Sequence, residues 1–333
     1  MVNWIERQWR GTTPWHLLLV PLSWLFGGLA ALRRALYRSG VRPRVRLPVP
    51  VIVVGNISVG GTGKTPLVVW LAQQLAAHGW HPGIVSRGYG GRARAPQAVH
   101  AASDAASVGD EPLLLASVAG CPVWVGRDRP AAGRGLLAAH PEVNVLIADD
   151  GLQHYRLARA VEIAVVDGAR GFGNGRLLPA GALREPLGRL AEVDAIVVNQ
   201  PGAAQTDLPG AVPVYVMHIE GERFINLIDP ARSACAADFA GDQVHAIAGI
   251  GHPQRFFDHI AVLGIHAQCH PFPDHHVYRA AELAYPGAIL MTSKDAVKCR
   301  GFATENMWVL PVQAALQPGL IERVLTKIGN YHG

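Results

Sequence analysis

Charge is scarce in this sequence: only 17% of its 333 residues are Asp, Glu, Lys or Arg, while half are hydrophobic. An average soluble domain carries about 25% charged residues. Such a chain is not an intrinsically disordered one, because its apolar surface is ample to offset ordering entropy. Cysteine is scarcer still. Cys121, Cys235, Cys269 and Cys299 lie far apart and form no Cys-x-x-Cys pair, which argues against a disulfide framework or a cysteine zinc site and fits a reducing compartment. Long uncharged runs are almost missing. Only one, 11–32, has the length to cross a bilayer, so a polytopic membrane protein is excluded. The net charge is a modest +5, and no nucleic-acid partner or obligate protein partner is expected.

The uncharged run has a distinctive setting. Pro21, Gly27 and Gly28 interrupt it, Arg7, Arg10, Arg33 and Arg34 flank it, and Trp4, Trp9, Trp15 and Trp24 accompany it. Tryptophan favours the headgroup interface, where its ring has an apolar and a wet side. An interfacial or half-inserted helix is the foremost expectation, a true span and a buried core helix being the alternatives. Glu6 and the lack of a clear small-x-small site speak against a cleaved signal peptide. Arg33, Arg34, Arg38, Arg42, Arg44 and Arg46 then read as a clamp for anionic lipid headgroups or as a solvated linker, and beside such a helix the clamp is preferred.

Beyond residue 46 the pattern alternates. Apolar, β-branched runs at 49–55, 83–86, 122–125, 145–148, 163–166 and 195–198 are separated by helical stretches such as 66–78. Continuous rather than alternating apolar runs mark strands buried on both faces, hence a parallel, doubly wound α/β sheet. The segments 214–219 and 223–228 alternate more and flank Glu220-Gly221-Glu222, which predicts a β-hairpin. The α/β pattern then restarts at 244–248, with a helix from 254 and strands at 288–291 and 308–310. The expected organisation is a membrane-associated helix and basic segment (1–46), a P-loop core (47–212), a hairpin linker (213–229) and a second, smaller α/β lobe (230–333).

Between the first strand and its helix stands Gly55-Asn-Ile-Ser-Val-Gly-Gly-Thr-Gly-Lys-Thr. Gly63, Lys64 and Thr65 match the end of G-x-x-x-x-G-K-[ST], while Ser58 occupies the leading glycine position. Consecutive backbone N–H groups of Ser58, Val59, Gly60, Gly61, Thr62 and Gly63 can turn toward phosphates, and the helix N-terminus adds positive potential. Lys64 would reach the β- and γ-phosphates and Thr65 would offer its hydroxyl to Mg²⁺. The run 145–148 ends in Asp149-Asp150, as a Mg²⁺-holding aspartate strand should, although Asp-Asp-Gly is also a common turn. Guanine-reading Asn-Lys-x-Asp is missing: Asn199 precedes Gln-Pro-Gly, and Lys294-Asp295 has no spacer. ATP is therefore the expected nucleotide. A lipid kinase, a membrane-recruited ATPase switch and a nucleotide-binding scaffold all remain compatible with a P-loop; the early loop lysine common in the switch class is here Val59.

The segments 55–66, Ser86-Arg-Gly-Tyr-Gly, Gly109-Asp-Glu-Pro, Asp149-Asp-Gly-Leu-Gln-His, 173–186, Phe272-Pro-Asp-His and Thr292-Ser-Lys-Asp-Ala-Val-Lys follow one another in the order seen in tetraacyldisaccharide 4'-kinases, a family this chain resembles up to about residue 300. Serine at the first P-loop glycine agrees with that family, while Ser293 and Ala182 are minor departures. The resemblance implies a Mg²⁺-ATP-dependent lipid kinase, acting on a membrane-embedded acylated glucosamine disaccharide at the cytoplasmic face of the bacterial inner membrane. It implies Asp110 as the general base for the 4'-hydroxyl, with His275 as its partner and the neighbouring His276 as the obvious confounder. An N-cap role for Asp110 is equally compatible with its place before a helix. Asn56, Arg87, Tyr89, Gln153, His154, Arg184 and Glu185 are candidates to line the site, the arginines and Glu185 otherwise reading as surface ion pairs. Lys294 and Asp295 either face the cleft or cap a helix.

Overall fold

A computed structural model of the chain describes residues 9, 11, 14–201 and 208–331. Two sheets organise it. The first has nine strands in the order β15-β8-β7-β6-β1-β5-β2-β4-β3, comprising β1 (Val51–Gly55), β2 (Pro82–Ser86), β3 (Gln97–Val99), β4 (Val123–Val125), β5 (Val145–Asp149), β6 (Val161–Asp167), β7 (Ala195–Asn199), β8 (Val214–Glu220) and β15 (Gln313–Leu316). All pairings are parallel except those of the edge strands β3 and β15. Central strands such as β1, β5 and β7 are buried at every position, which explains their unbroken apolar runs. A hydrophobic cluster lies on each face. Helix Lys64–Ala77 contributes Leu67, Val68, Leu71, Ala72 and Leu75 to one of them, a single face at helical spacing.

The second sheet has six strands, β10-β9-β14-β13-β11-β12, formed by β9 (Phe224–Asn226), β10 (Ser233–Ala234), β11 (Val244–Ala248), β12 (Gln268–Pro271), β13 (Ala288–Thr292) and β14 (Met307–Leu310). Its inner pairings β12-β11-β13-β14 are parallel. Two expectations need correction here. The hairpin predicted for 213–229 does not form: β8 pairs with β7 and β15 in the first sheet, whereas β9 pairs with β14 and β10 in the second. Gly221 turns the chain from one sheet to the other. Nor does the second lobe run to the C-terminus, since β15 and helix Leu320–Gly329 return to the first sheet and bury Leu320, Ile321, Val324 and Ile328 in its core.

The N-terminal helix, Pro14–Arg38, is exposed along Leu18, Leu22, Leu25, Leu29 and Leu32, and Trp24 is 72% exposed. Its other side is seated on the protein. Val20, Ser23 and Tyr37 are buried, Ser23 Oγ donates to Leu177 O at 2.7 Å, and Gly27 packs against Leu177. A buried core helix is thereby excluded. Trp4, Arg7 and Arg10 and the side chain of Trp15 lie outside the described residues. Trp9 is not free for a lipid interface, because its Nε1 donates to Pro179 O at 3.0 Å. The arginine clamp also shrinks: Arg34 and Arg38 pair with Glu192 at 3.4 and 3.1 Å, leaving Arg33, Arg42, Arg44 and Arg46 exposed.

Since 313–329 belongs to the first lobe, Leu320→Ala should destabilise the nucleotide-binding lobe by about 2–5 kcal/mol, the usual cost of such a core truncation. Denaturant unfolding followed by loss of ATP-analogue binding measures it. An unchanged midpoint would contradict this packing.

Candidate active site

The register of the first sheet assembles the site before any side chain is considered. Val54 of β1 lies beside Asp149 of β5, Val85 of β2 beside Ala148, and Asn199 of β7 beside Asp167 of β6. Gly55, Ser86, Asp149, Asp167 and Asn199 therefore share the carboxyl edge of one parallel sheet, where open α/β folds bind ligands.

The P-loop leaves β1 and enters the helix at Lys64. Gly63 has φ +89°, and a Cβ there would collide with Asn199 Nδ2; the loop needs glycine at this position for both reasons. Asn199 Nδ2 donates to Thr62 O at 3.2 Å, and Asn56 Nδ2 donates to Thr62 Oγ1 at 3.3 Å. Asn56 is fully buried, so it clamps the loop from behind instead of lining an open pocket. Gln153 does related work, donating from Nε2 to Asn56 O at 2.9 Å. Val59 N donates to Ala182 O at 2.8 Å and Ser58 bridges to Leu183, so the 173–186 segment braces the loop's outer side.

Lys64 Nζ lies 3.6 Å from Asp150 Oδ1, and Arg184 lies 3.1 Å from Asp150 Oδ2. The two adjacent aspartates thus differ. Asp150 faces cations, whose charges outweigh its burial and lower its pKa. Asp149 is fully buried, accepts from Ser86 Oγ at 2.9 Å, and leaves Oδ1 without a partner. Burial and the negative charges of Glu111 and Asp150 raise its pKa. Among the described residues no three His, Cys, Asp or Glu side chains form a ready metal cage. A P-loop Mg²⁺ needs none, because it draws on a hydroxyl, a carboxylate, phosphate oxygens and water. The unpartnered Asp149 oxygen and the Thr65 hydroxyl fit that demand.

Asp110 opens helix Asp110–Val118 and is buried. Across from it, the second lobe presents the carboxyl edge of its own sheet. His275 Nδ1 lies 2.9 Å from both Asp110 oxygens, and Lys294 Nζ lies 3.8 Å from Asp110, 3.3 Å from Glu111 and 3.0 Å from Asp274. Burial alone would raise the Asp110 pKa, but the hydrogen bond with His275 and the charge of Lys294 outweigh it and the pKa is lowered. The same bond raises that of His275. Burial disfavours the Lys294 ammonium, yet Glu111, Asp110 and Asp274 overcome this and raise its pKa. His275 sits at φ +60°, a strained conformation outside glycine, and its ring stacks obliquely 5.4 Å from that of the exposed Tyr89. His276 turns away, to Glu282 at 3.3 Å.

Several expected residues fall elsewhere. Glu185 is buried, bonded to the Tyr155 hydroxyl and 3.3 Å from Arg189, so it is part of the scaffold. Asp295 is wholly buried among Thr292, Tyr278, Gly249 and Lys298, while its neighbour Lys294 reaches the cleft. His154 is kept neutral, its pKa pushed down to about 4 by burial with Arg129 and Arg159 nearby. Arg87 is exposed beside Arg129. Sequence patterns gave no hint of Ser86 as the partner of Asp149 or of Asn199 as a partner of the loop, nor of Glu111 and Asp274 as partners of Lys294. Arg129, a buried guanidinium whose pKa burial lowers to about 10 next to Asp149 and Asp150, was equally hidden; only its place after β4 signalled it.

The pair generates a pH test. The carboxylate form of Asp110 persists below the ordinary aspartate range of about 3.9 because His275 and Lys294 favour it. His275→Gln removes the largest of those lowering effects, so the Asp110 pKa rises. The acid limb of the kcat/KM profile should accordingly move to higher pH in His275→Gln. An acid limb that stays in place would separate His275 from the Asp110 carboxyl.

With the geometry in view, comparison with known proteins gives one answer. Residues 15–329 match the family model described as tetraacyldisaccharide-1-P 4'-kinase. A tetraacyldisaccharide 4'-kinase of Azoarcus sp. is 56% identical over 96% of this chain and 94% of its own length. One from Dechloromonas aromatica is 52% identical, over 98% of each. Among solved structures, LpxK from Aquifex aeolicus in complex with ATP matches with TM-score 0.79 and 30% identity, covering 94% of this chain and 99% of that one.

Proposed function

This chain belongs to the tetraacyldisaccharide-1-P 4'-kinase family, and from that premise we infer the division of labour in its site. It is an ATP-dependent lipid kinase of lipid A synthesis, transferring the γ-phosphoryl group to the 4'-hydroxyl of an acylated glucosamine disaccharide 1-phosphate. The bond between Asp110 and His275, one residue from each lobe, carries the assignment of the acceptor site. Asp110 takes the hydroxyl proton as the sugar oxygen attacks the γ-phosphorus and the bond to the ADP oxygen breaks. His275 orients the carboxylate through both oxygens and keeps it ionised. Lys64 and the loop amides hold the phosphates, and Asp150 with Arg184 fixes where the Lys64 ammonium points. Bound Mg²⁺ supplies charge neutralisation on the phosphates; Thr65 and Asp149 would hold it. Most of the catalysis is positioning and electrostatics, as in other phosphoryl transfers.

The N-terminal helix supports an interfacial attachment. This helix rests Val20, Ser23 and Tyr37 on the protein and presents a leucine stripe outward, as a helix lying in an interface does. With Arg33, Arg42, Arg44 and Arg46 exposed at its end, it would lie on the anionic cytoplasmic leaflet and bring the acceptor's membrane to the site.

Labelled ATP offered to the full chain with a panel of micellar glycolipids should label the acylated disaccharide 1-phosphate, at the 4' position. Lys64→Ala should lower that transfer at least about 10²-fold while leaving the melting temperature unchanged, the scale expected for losing one transition-state cation. Labelling of another acceptor class, or full activity in Lys64→Ala, would overturn the proposal. Replacing Leu22, Leu25 and Leu29 together by serine should release the protein from anionic vesicles in co-sedimentation without weakening nucleotide binding in solution.

A further inference from the structure

Behind the seam, inside the second lobe, lies a carboxylate that the chemistry above does not use. Asp295 is wholly buried, and its two oxygens meet four donors. Oδ2 accepts from Gly249 N at 3.1 Å and from Thr292 Oγ1 at 2.7 Å. Oδ1 accepts from the Tyr278 hydroxyl at 2.9 Å and lies 2.9 Å from Lys298 Nζ. Lys298 is itself buried, its ammonium resting over the Tyr278 ring. Taking such a pair out of water is costly, and apolar side chains of similar volume would hold a lobe together as well. What the charges add is direction.

The partners of Asp295 come from three separate segments. Gly249 begins the turn after β11, Tyr278 ends the stretch after β12, and Thr292 and Lys298 belong to the start and end of helix Ser293–Cys299, after β13. Two of these segments carry the groups that reach Asp110. The stretch after β12 holds His275, three residues before Tyr278, and the helix holds Lys294, next to Asp295 itself. His275 sits at φ +60°, a conformation that persists only where its surroundings fix it. That stretch is pinned at both ends: Phe272 N donates to Ala248 O at 2.9 Å, and the Tyr278 hydroxyl donates to Asp295. Gly249 lets the three segments meet, since a Cβ there would collide with the Tyr278 hydroxyl.

We propose that Asp295 is a positioning residue for phosphoryl transfer: by tying the stretch after β12 to helix Ser293–Cys299 and the turn after β11, it sets His275 and Lys294 at their distances from Asp110. This rests on the roles given above to Asp110 and His275, and it adds what keeps the second lobe's groups in register. Asparagine cannot take its place. The amide oxygen can face Gly249 and Thr292 or else Tyr278 and Lys298, and on the other side the amide N–H groups oppose a donor.

Asp295→Asn and Tyr278→Phe are compared with the full chain in transfer of label from ATP to the acylated disaccharide 1-phosphate in micelles. Asp295→Asn should lower kcat about tenfold or more and Tyr278→Phe less, with KM for ATP moving less than kcat in both. In a His275→Gln background Asp295→Asn should cost much less than it does alone, because most of its effect runs through a group already gone. Losses that simply multiply would overturn the proposal. NMR of the His275 imidazole, assigned as the signal missing from His275→Gln, needs neither acceptor nor turnover. Asp110, Asp274 and Lys294 are the charges that face this ring, and the bond with Asp110 raises its midpoint above the ordinary value of about 6.5. In both variants the midpoint should fall back toward that value; a midpoint that stays in place in folded protein would also overturn the proposal. Should Asp295→Asn fail to fold, Tyr278→Phe decides, since it loses one hydroxyl and keeps the ring. If the wild type labels no acylated disaccharide yet the midpoint moves in the variants, the kinase reading falls and the positioning of His275 by Asp295 stands.

Discussion

Lys294 sits in the seam between the lobes with its side chain 14% exposed, and Asp110, Glu111 and Asp274 surround its ammonium. Two of these carboxylates belong to the first lobe and one to the second. Without the ammonium they would repel one another across the gap, and the buried Asp110 would lose a charge that keeps it ionised. Removing one partner of a buried pair costs about 3–5 kcal/mol, because the other charge stays behind without compensation. Glu111 and Asp274 are more exposed, so solvent screens their share and the tie to Asp110 matters most. With that tie in place, His275 reaches Asp110 despite the unfavourable backbone angle it must adopt. The Arg255–Asp167 pair makes a second bridge, from helix Pro253–Val262 to the end of β6.

Two parallel sheets explain why the seam is also the site. Each sheet gathers its loops at the carboxyl ends of its strands, and here the two carboxyl edges face one another. One contributes the P-loop, Asp149 and Asp110; the other contributes His275 and Lys294. The phosphate loop and Asp110 therefore come from one lobe, and the groups that hold the charge of Asp110 come from the other. Their separation depends on how the lobes dock, with helix Asp110–Val118 packed against helix Ser293–Cys299.

Much of this was legible in the sequence, and the limits have physical causes. The buried central strands of the first sheet announced themselves as unbroken apolar, largely β-branched runs, and the P-loop as glycines before Lys64, because backbone demands there leave few alternatives; β12, Gln-Cys-His-Pro, carried no such run. The stretch 214–228 misled because alternation and Glu220-Gly221-Glu222 are local signals, whereas β8 and β9 take their partners from remote segments. Neighbours also diverged: Arg184 faces Asp150 while Glu185 is buried against Tyr155, and Lys294 faces the cleft while Asp295 is buried beside Thr292, the residue that caps the helix. Adjacent side chains point in different directions, so a motif names candidates without saying which way each one looks. Asp274 and Glu111 escaped notice because an ion cluster assembled from two lobes has no spacing to recognise.

The 173–186 segment links the remaining parts. It receives the N-terminal residues through Trp9 on Pro179 and Ser23 on Leu177. Six residues further on, Leu183 bridges Ser58 and also pairs with Leu177, while Ala182 accepts from Val59. Arg184 then fixes Asp150, and through it Lys64. One strap thus touches the N-terminal apolar helix on one side and the phosphate loop on the other, with its glycines allowing the tight turns between them. The acceptor is a lipid and the donor a soluble nucleotide, so the enzyme must hold an acylated sugar and a phosphate chain at fixed separation. A short, heavily bonded segment meets that requirement better than a flexible linker, whose ends would drift by more than the reach of a phosphoryl transfer.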